Sequence, residues 1–347
     1  VAIASTRTGT QFASESLRFA TVDARWNASR FIVMKTTAIA FAALAVGAQA
    51  VHSALPSQAG QRGVAVPLPE PTPLAHSRLS RRRLTSIVGG AAKTPPETYA
   101  AYSTLGTKQG TMALQPMVLQ SLLAGAFIAL GGALAMSVGA MMPGIASSNP
   151  GLQKMLLGAF GLPVGLLMVV MTGGQLFTGN TALVSAAVLD GTVTPGQLIR
   201  NWIVSFFGNF AGALAVVYML SWSGLFGMGA SVAKVATGKV GLDFGQAFIR
   251  GILCNWMVCL ALWQANAASD LAGKALGIWL PISAFVAIGF EHSVANMMFI
   301  PLGMLCGADI SVADFLFKNL LPVTLGNIVA GSVLVGGAYH VLHGKKN

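Results

Sequence analysis

Gly289-Phe290-Glu291-His292-Ser293 interrupts an apolar stretch that otherwise runs from Ile278 to Leu305, long enough to cross a bilayer. A charge at membrane depth costs roughly 2.5 to 3.5 kcal/mol on insertion scales, so an acid beside an imidazole there points to a permeation or proton-relay site. The plain alternative is a Glu and a His satisfied inside a helix bundle. With 54% hydrophobic residues, 9% charged residues and a mean hydropathy of +0.69, the chain carries too little polar side chain to cover a soluble domain. It reads as an all-α, multi-pass membrane protein.

Apolar stretches long enough to span fall near residues 117–141, 154–189, 197–222, 244–268, 276–305 and 315–342. The second and fifth are overlong, and each is broken by small or polar residues. Thr172-Gly173-Gly174-Gln175 interrupts the second, ahead of Leu176-Phe177-Thr178-Gly179-Asn180; the Glu291-His292 segment interrupts the fifth. Irregular backbone at bilayer depth is tolerated where it is buried in protein or lines a watery cavity, so two facing breaks would line a pore. Lysines and arginines balance across the loops; only the basic N-terminal extension tips the count toward termini on the inner side.

An internal repeat supports a pore. Arg200-Asn201, Gly208-Asn209 and Ala211-Gly212 in the third span match Lys318-Asn319, Gly326-Asn327 and Ala330-Gly331 in the sixth, with a shift of 118 between the paired asparagines. Three spans followed by three more force the copies to insert in opposite senses. This is the inverted-repeat design in which broken helices at corresponding positions build a site near the midplane. Many of the 41 glycines lie inside spans, where they allow helices to approach closely.

The N-terminal extension is of another kind. Residues 1–108 hold 12 Lys/Arg against 4 Asp/Glu, and the remainder hold 9 against 6, so the net charge of +11 says little about what the membrane part binds and does not indicate nucleic acid. The first Met is Met34, so residues 1–33 read as non-native sequence or sequence derived from an untranslated region. Residues 34–50 have a charged start, a short apolar run and Ala48-Gln49-Ala50, as in a signal peptide. Residues 51–108, rich in Pro, Ser and Arg, read as a disordered, transit-peptide-like segment. That pairing suggests a plastid envelope, the alternative being the plasma membrane. Residues 109–347 form the six-helix domain. Cys254, Cys259 and Cys306 make no C-x-x-C pair, and neither a disulfide framework, a metal site nor a cofactor is expected.

Phe177-Thr178-Gly179-Asn180, Leu253-Cys254-Asn255-Trp256 and Gly289-Phe290-Glu291-His292-Ser293-Val294-Ala295-Asn296-Met297, in that order, resemble the formate/nitrite transporter family over about residues 95–342. The resemblance implies an aquaporin-like protomer in a homopentamer, each protomer with its own pore for small monovalent anions such as formate, nitrite or hydrosulfide, with linkage to protons. It assigns Thr178 and His292 to the centre of the pore, and Lys239 and Asn255 to nearby polar positions. It assigns hydrophobic constrictions to Phe285 with Leu162, and to Leu166, Phe177 and Val258. Leu162 stands where bacterial members commonly have Phe. Without the resemblance, plain packing accounts for these apolar positions, and Lys239 reads as a snorkelling loop lysine.

Thr178 lies near the start of a half-span, where unpaired N–H groups favour negative charge. His292 is the side chain whose ordinary pKa, about 6.5, allows a charge change near neutral pH, and it is expected to donate a hydrogen bond or a proton to the anion. Glu291 is expected to hold the broken backbone or orient neighbours. A neutral-solute pore of aquaporin type would carry paired Asn-Pro-Ala turns, which do not occur. An intramembrane enzyme lacks an H-E-x-x-H, a G-x-S-x-G and a second histidine within the spans, except His340 near the end.

Overall fold

A computed structural model describes residues 92–226 and 229–344, and these are helical with connecting turns. The segments read as 1–33 and 34–50, and most of 51–108, lie outside the described residues. Helix α1 spans Pro95–Gly110 and α2 Leu114–Ala140; α3 (Pro150–Ala159) runs into α4 (Leu162–Thr172), which is followed by α5 (Phe177–Leu189) and α6 (Pro195–Ser223). The chain continues with α7 (Ala230–Val240), α8 (Phe244–Ala267), α9 (Leu271–Ile288), α10 (Ser293–Leu305) and α11 (Asp314–His343). Among the described residues six spans, Leu114–Ala140, Pro150–Thr172, Pro195–Ser223, Phe244–Ala267, Leu271–Ile288 and Asp314–His343, are long and apolar enough to cross a membrane. Helices α5 and α10, 13 residues each, reach only about 20 Å at 1.5 Å per residue, and so end part-way through.

Both breaks form in the same way. Gly173 (φ 76°) and Gly289 (φ 93°) adopt the left-handed conformation that closes α4 and α9, and the chain is then non-helical for three residues, the last of them, Leu176 or His292, extended, before the half-helix begins. A half-helix that starts inside the bilayer exposes N–H groups where water cannot reach, so something in the protein must accept from them. Asn209 Oδ1 accepts from Phe177 N (2.8 Å) and Asn327 Oδ1 from Ser293 N (3.0 Å). The amide of Asn209 donates to the carbonyls of Ser121 and Gln175, and that of Asn327 to those of Gly251 and Glu291. The paired asparagines are therefore the clamps of the two breaks.

The packing repeats as well. Helix α2 lies on α6 as α8 lies on α11, and α1 on α5 as α7 on α10. Added side-chain carbon at Gly208 would strike Ser121, and at Gly326 the carbonyl of Phe248, so these helix pairs need glycine to meet. Each repeat thus consists of a leading helix, a full span, a broken span and a closing span, in opposite senses.

The boundary expected at residue 108 moves accordingly. Residues 95–108 form most of α1, the counterpart of α7, with Tyr99 and Tyr102 buried. Pro95-Pro96 suit the first turn, and the Glu97 carboxylate accepts from the Thr94 N–H (2.9 Å) and hydroxyl (2.8 Å). These bonds hold the Glu97 carboxyl below its usual range. Asp190, after α5, accepts from Tyr99 (2.8 Å) and Ser103 (2.5 Å) and pairs with His340 of α11 (2.8 Å), tying α1 to the end of the chain. Burial, then the Asp190 carboxylate, pushes the Tyr99 hydroxyl well up, so it stays a donor.

Asn209→Ala and Asn327→Ala should each lower the thermal stability of the purified protein, by about 1–3 kcal/mol if the released backbone groups stay buried and unpaired. Ala substitution at exposed Lys318, which only pairs with Asp314 one turn away, should change it little in the same melting assay.

Candidate functional site: two vestibules and a polar pinch

The half-helices meet at their N-terminal ends, and a line of cavities crosses the bundle between them. One vestibule, of about 370 Å³, is lined by Lys154, Lys239, Arg250, Glu291, Asn296 and Phe299 among others. The opposite vestibule, of about 170 Å³, is lined by Gln109, Gly173, Gly174, Gly179, Asn180, Asn266 and Lys274 among others. Between them lies a space of about 10 Å³ bounded by Ile128, Leu162, Leu166, Leu176, Val258, Ile282, Phe285 and His292. Such a space holds at most about one water. An ion would have to leave its hydration shell at this pinch.

Leu162 and Phe285 border both the pinch and the larger vestibule, and Leu176 borders both the pinch and the smaller one. Leu166 and Val258 line the pinch. Phe177 does not: its ring packs edge-on against Phe206 (5.1 Å) and Trp202 (6.5 Å), away from the line of cavities. Its N–H is held by Asn209, which turns the ring outward and leaves Leu176, the residue before the half-helix, at the neck. Alternation along extended backbone could have pointed to Leu176 once the break was located.

His292 is the one polar side chain lining the pinch. It caps α10: its Nδ1 accepts from the Ala295 N–H (2.9 Å). A ring nitrogen that accepts carries no proton, so the neutral imidazole is protonated at Nε2. That N–H donates to Thr178 Oγ1, 2.9 Å away, on the first turn of α5. The Thr178 hydroxyl is left free to donate its own proton onward. Phe285 stacks on the imidazole (ring centroids 6.1 Å, 24°) and fixes its plane.

Asn255 lies behind the site and lines none of these three cavities. It is fully buried and donates to the Thr178 carbonyl (3.1 Å), to Thr181 Oγ1 (3.0 Å) and to the Asn327 carbonyl (2.7 Å), bracing the Thr178 turn against α11. Lys239, in the last turn of α7, is no loop residue. Its Nζ pairs with Glu291 Oε1 at 2.9 Å and sits 5.4 Å from the Phe299 ring centre. Glu291 Oε2 accepts from Asn296 (2.7 Å) and Asn319 (3.1 Å), so the carboxylate ties the break to the half-helix and to the closing span.

The arrangement is that of a membrane channel or transporter: two inverted half-helices, two vestibules and a narrow polar centre. The formate/nitrite transporter profile matches residues 96–341, and the chain belongs to that family. It is 43% identical over 274 residues, 73% of this chain and 97% of the relative, to a protein of Methanothermobacter thermautotrophicus named "Probable formate transporter". Among solved structures, an "FNT family ion channel" covers 71% of this chain and 98% of its own at 31% identity and a TM-score of 0.64. A "Pentameric formate channel with formate bound" covers 66% and 97% at 32% identity and a TM-score of 0.58.

Trimming the pinch should widen it. Leu166→Ala and Phe285→Ala in proteoliposomes are expected to raise solute flux and to admit a three-carbon anion such as lactate; flux unchanged in both would mean that the narrowing lies elsewhere.

Proposed function

We propose that the protein conducts small monovalent anions, formate and nitrite first, across a membrane along the line of cavities, as one protomer of a homopentamer. The observation that carries this is the Thr178–His292 hydrogen bond at the pinch, flanked by the positive ends of two half-helices. A dehydrating anion needs donors and a positive field in place of water. Thr178 supplies a hydroxyl, the α5 terminus free N–H groups, and Lys239 with Lys154 and Arg250 a positive vestibule.

His292 acts first as a hydrogen-bond donor. Giving up its only neutral-state proton would leave an imidazolate, and a proton on Nδ1 would face the Ala295 N–H that it now accepts from. Proton linkage therefore runs through a transient imidazolium formed only when an anion compensates the lost cap. The pentamer is supported by the solved relative described as a pentameric formate channel, and formate by that relative and the archaeal one. Exposed apolar side chains on the outer faces, such as Leu130, Ile203 and Phe207, suit lipid or neighbouring protomers.

His292→Ala and Thr178→Val should each lower formate and nitrite uptake into proteoliposomes by at least about tenfold, comparable to removing one preorganised donor elsewhere. His292→Ala should also flatten the dependence of uptake on external pH. Variants retaining wild-type flux and pH profile would end the proposal. Steady uptake of radiolabelled formate, recovered unchanged, separates transport from chemical conversion.

We further propose targeting to a plastid envelope, where nitrite would be a fitting substrate because it is reduced in that compartment. A fluorescent protein fused behind residues 34–91 should enter plastids; retention in the cytosol would remove the targeting idea while leaving the transport reading intact.

A further inference from the structure

The charged clasp in the second repeat has an uncharged twin in the first. Gln175 occupies the place of Glu291 and Gln109 that of Lys239, each pair standing next to its left-handed glycine or at the end of its leading helix. Gln175 Oε1 accepts from Asn180 (2.6 Å) and Asn201 (3.0 Å), as Glu291 Oε2 accepts from Asn296 (2.7 Å) and Asn319 (3.1 Å). Asn201 donates to the Gln109 carbonyl (3.1 Å), as Asn319 donates to the Lys239 carbonyl (2.9 Å). The remaining contacts differ. Glu291 Oε1 accepts from the Lys239 ammonium, whereas Gln175 Nε2 donates to the Gln109 carbonyl (3.4 Å) and also reaches Met112 Sδ (3.3 Å).

Two consequences follow from matching the copies bond by bond. An amide oxygen suffices to gather the two asparagines, so the negative charge on Glu291 is not required for holding the break. What the charge does is hold Lys239, whose side chain is 15% exposed while the carboxylate behind it is 3% exposed. The vestibule therefore meets the ammonium more than its counter-ion. On the opposite side Gln109 is uncharged, its Oε1 buried without a partner, and the cation lining that mouth is Lys274, against Lys154, Lys239 and Arg250 in the other.

We propose that Gln175, with Gln109, is the positioning pair of the first half-helix, setting Thr178 as Glu291 and Lys239 set His292, and that its lack of an exposed ammonium makes the two mouths of the pathway electrically unequal. The inequality rests on reading the cavities as an anion pathway; the positioning role does not. The first copy is suited to the ionic version, since Gln109 and Lys239 each stand one residue before the end of their leading helix and Gln109 Oε1 lacks a donor.

The test is a swap of the two versions. Gln175→Glu alone buries a carboxylate without a cation and should lower the melting midpoint of the purified oligomer by several degrees and reduce formate uptake. Adding Gln109→Lys should restore more than roughly half of both losses, because the ion pair of the other repeat is then rebuilt. No recovery on adding the lysine would overturn the positioning claim. In the reverse swap, Glu291→Gln with Lys239→Gln, the oligomer should keep its melting midpoint within a few degrees. Formate KM, measured from the Lys239 side in sided membrane vesicles at low ionic strength, should rise about threefold or more, and the rise should shrink near 0.5 M salt. A reverse swap that unfolds, or whose KM matches wild type at low salt, would overturn the division of roles. Absence of formate uptake in the wild type would instead sink the pore reading and leave the melting comparison standing.

Discussion

A helix that begins inside a bilayer has N–H groups that neither water nor a preceding turn can satisfy, and this constraint organises the whole molecule. Each half-helix needs an acceptor held rigidly at its first residue. A side chain can do this only from a neighbouring span that approaches closely. Asn209 and Asn327 fill that role, and the glycines one residue before them, Gly208 and Gly326, allow α6 and α11 to come near enough. The remaining bonds of each asparagine carboxamide tie down the carbonyls at the break and on the adjacent span. Irregular backbone becomes as well satisfied as helix, which is the condition for its existence at that depth.

Much of this was legible in the chain. The paired asparagines mark the repeat in the sequence itself, because Asn inside an apolar span is costly unless it has fixed partners. The breaks were legible for a related reason: Gly173 and Gly289 sit where an apolar run exceeds one bilayer crossing. The leading helices were not. Helices α1 and α7 are too short and too polar to register as spans, and α1 adjoins an extension whose composition matches disorder. Its Thr94-Pro95-Pro96-Glu97 start was the available sign. Side-chain direction was equally hidden. Whether Phe177 or Leu176 faces the pinch depends on one turn of backbone, and Asn209 sets that turn from another helix.

The centre joins two demands that pull against each other. A pinch of about 10 Å³ lined mostly by aliphatic and aromatic carbon excludes hydrated ions, yet a dry apolar neck alone would exclude every anion. The conflict is eased by converging partial charges rather than whole ones. Two half-helix ends point inward, and the resting His292 contributes an N–H as a neutral imidazole. A permanent cation at the pinch would bind an anion too tightly to release it in a low-dielectric surrounding. Lys239 is therefore better stationed in the vestibule, where residual water moderates its pull.

The duplicated fold also explains why function can be asymmetric while structure is not. Inversion requires the two copies to share backbone geometry at the breaks, because both must close the same bundle from opposite sides. It does not require them to share charge. Thr178 and His292 lie within two residues of equivalent places, yet one offers a hydroxyl and the other an imidazole. The clasps behind them differ likewise, amide against carboxylate. Once hydrogen-bond geometry alone holds the scaffold, each polar position facing the cavities is free to carry whichever charge the passing ion needs there.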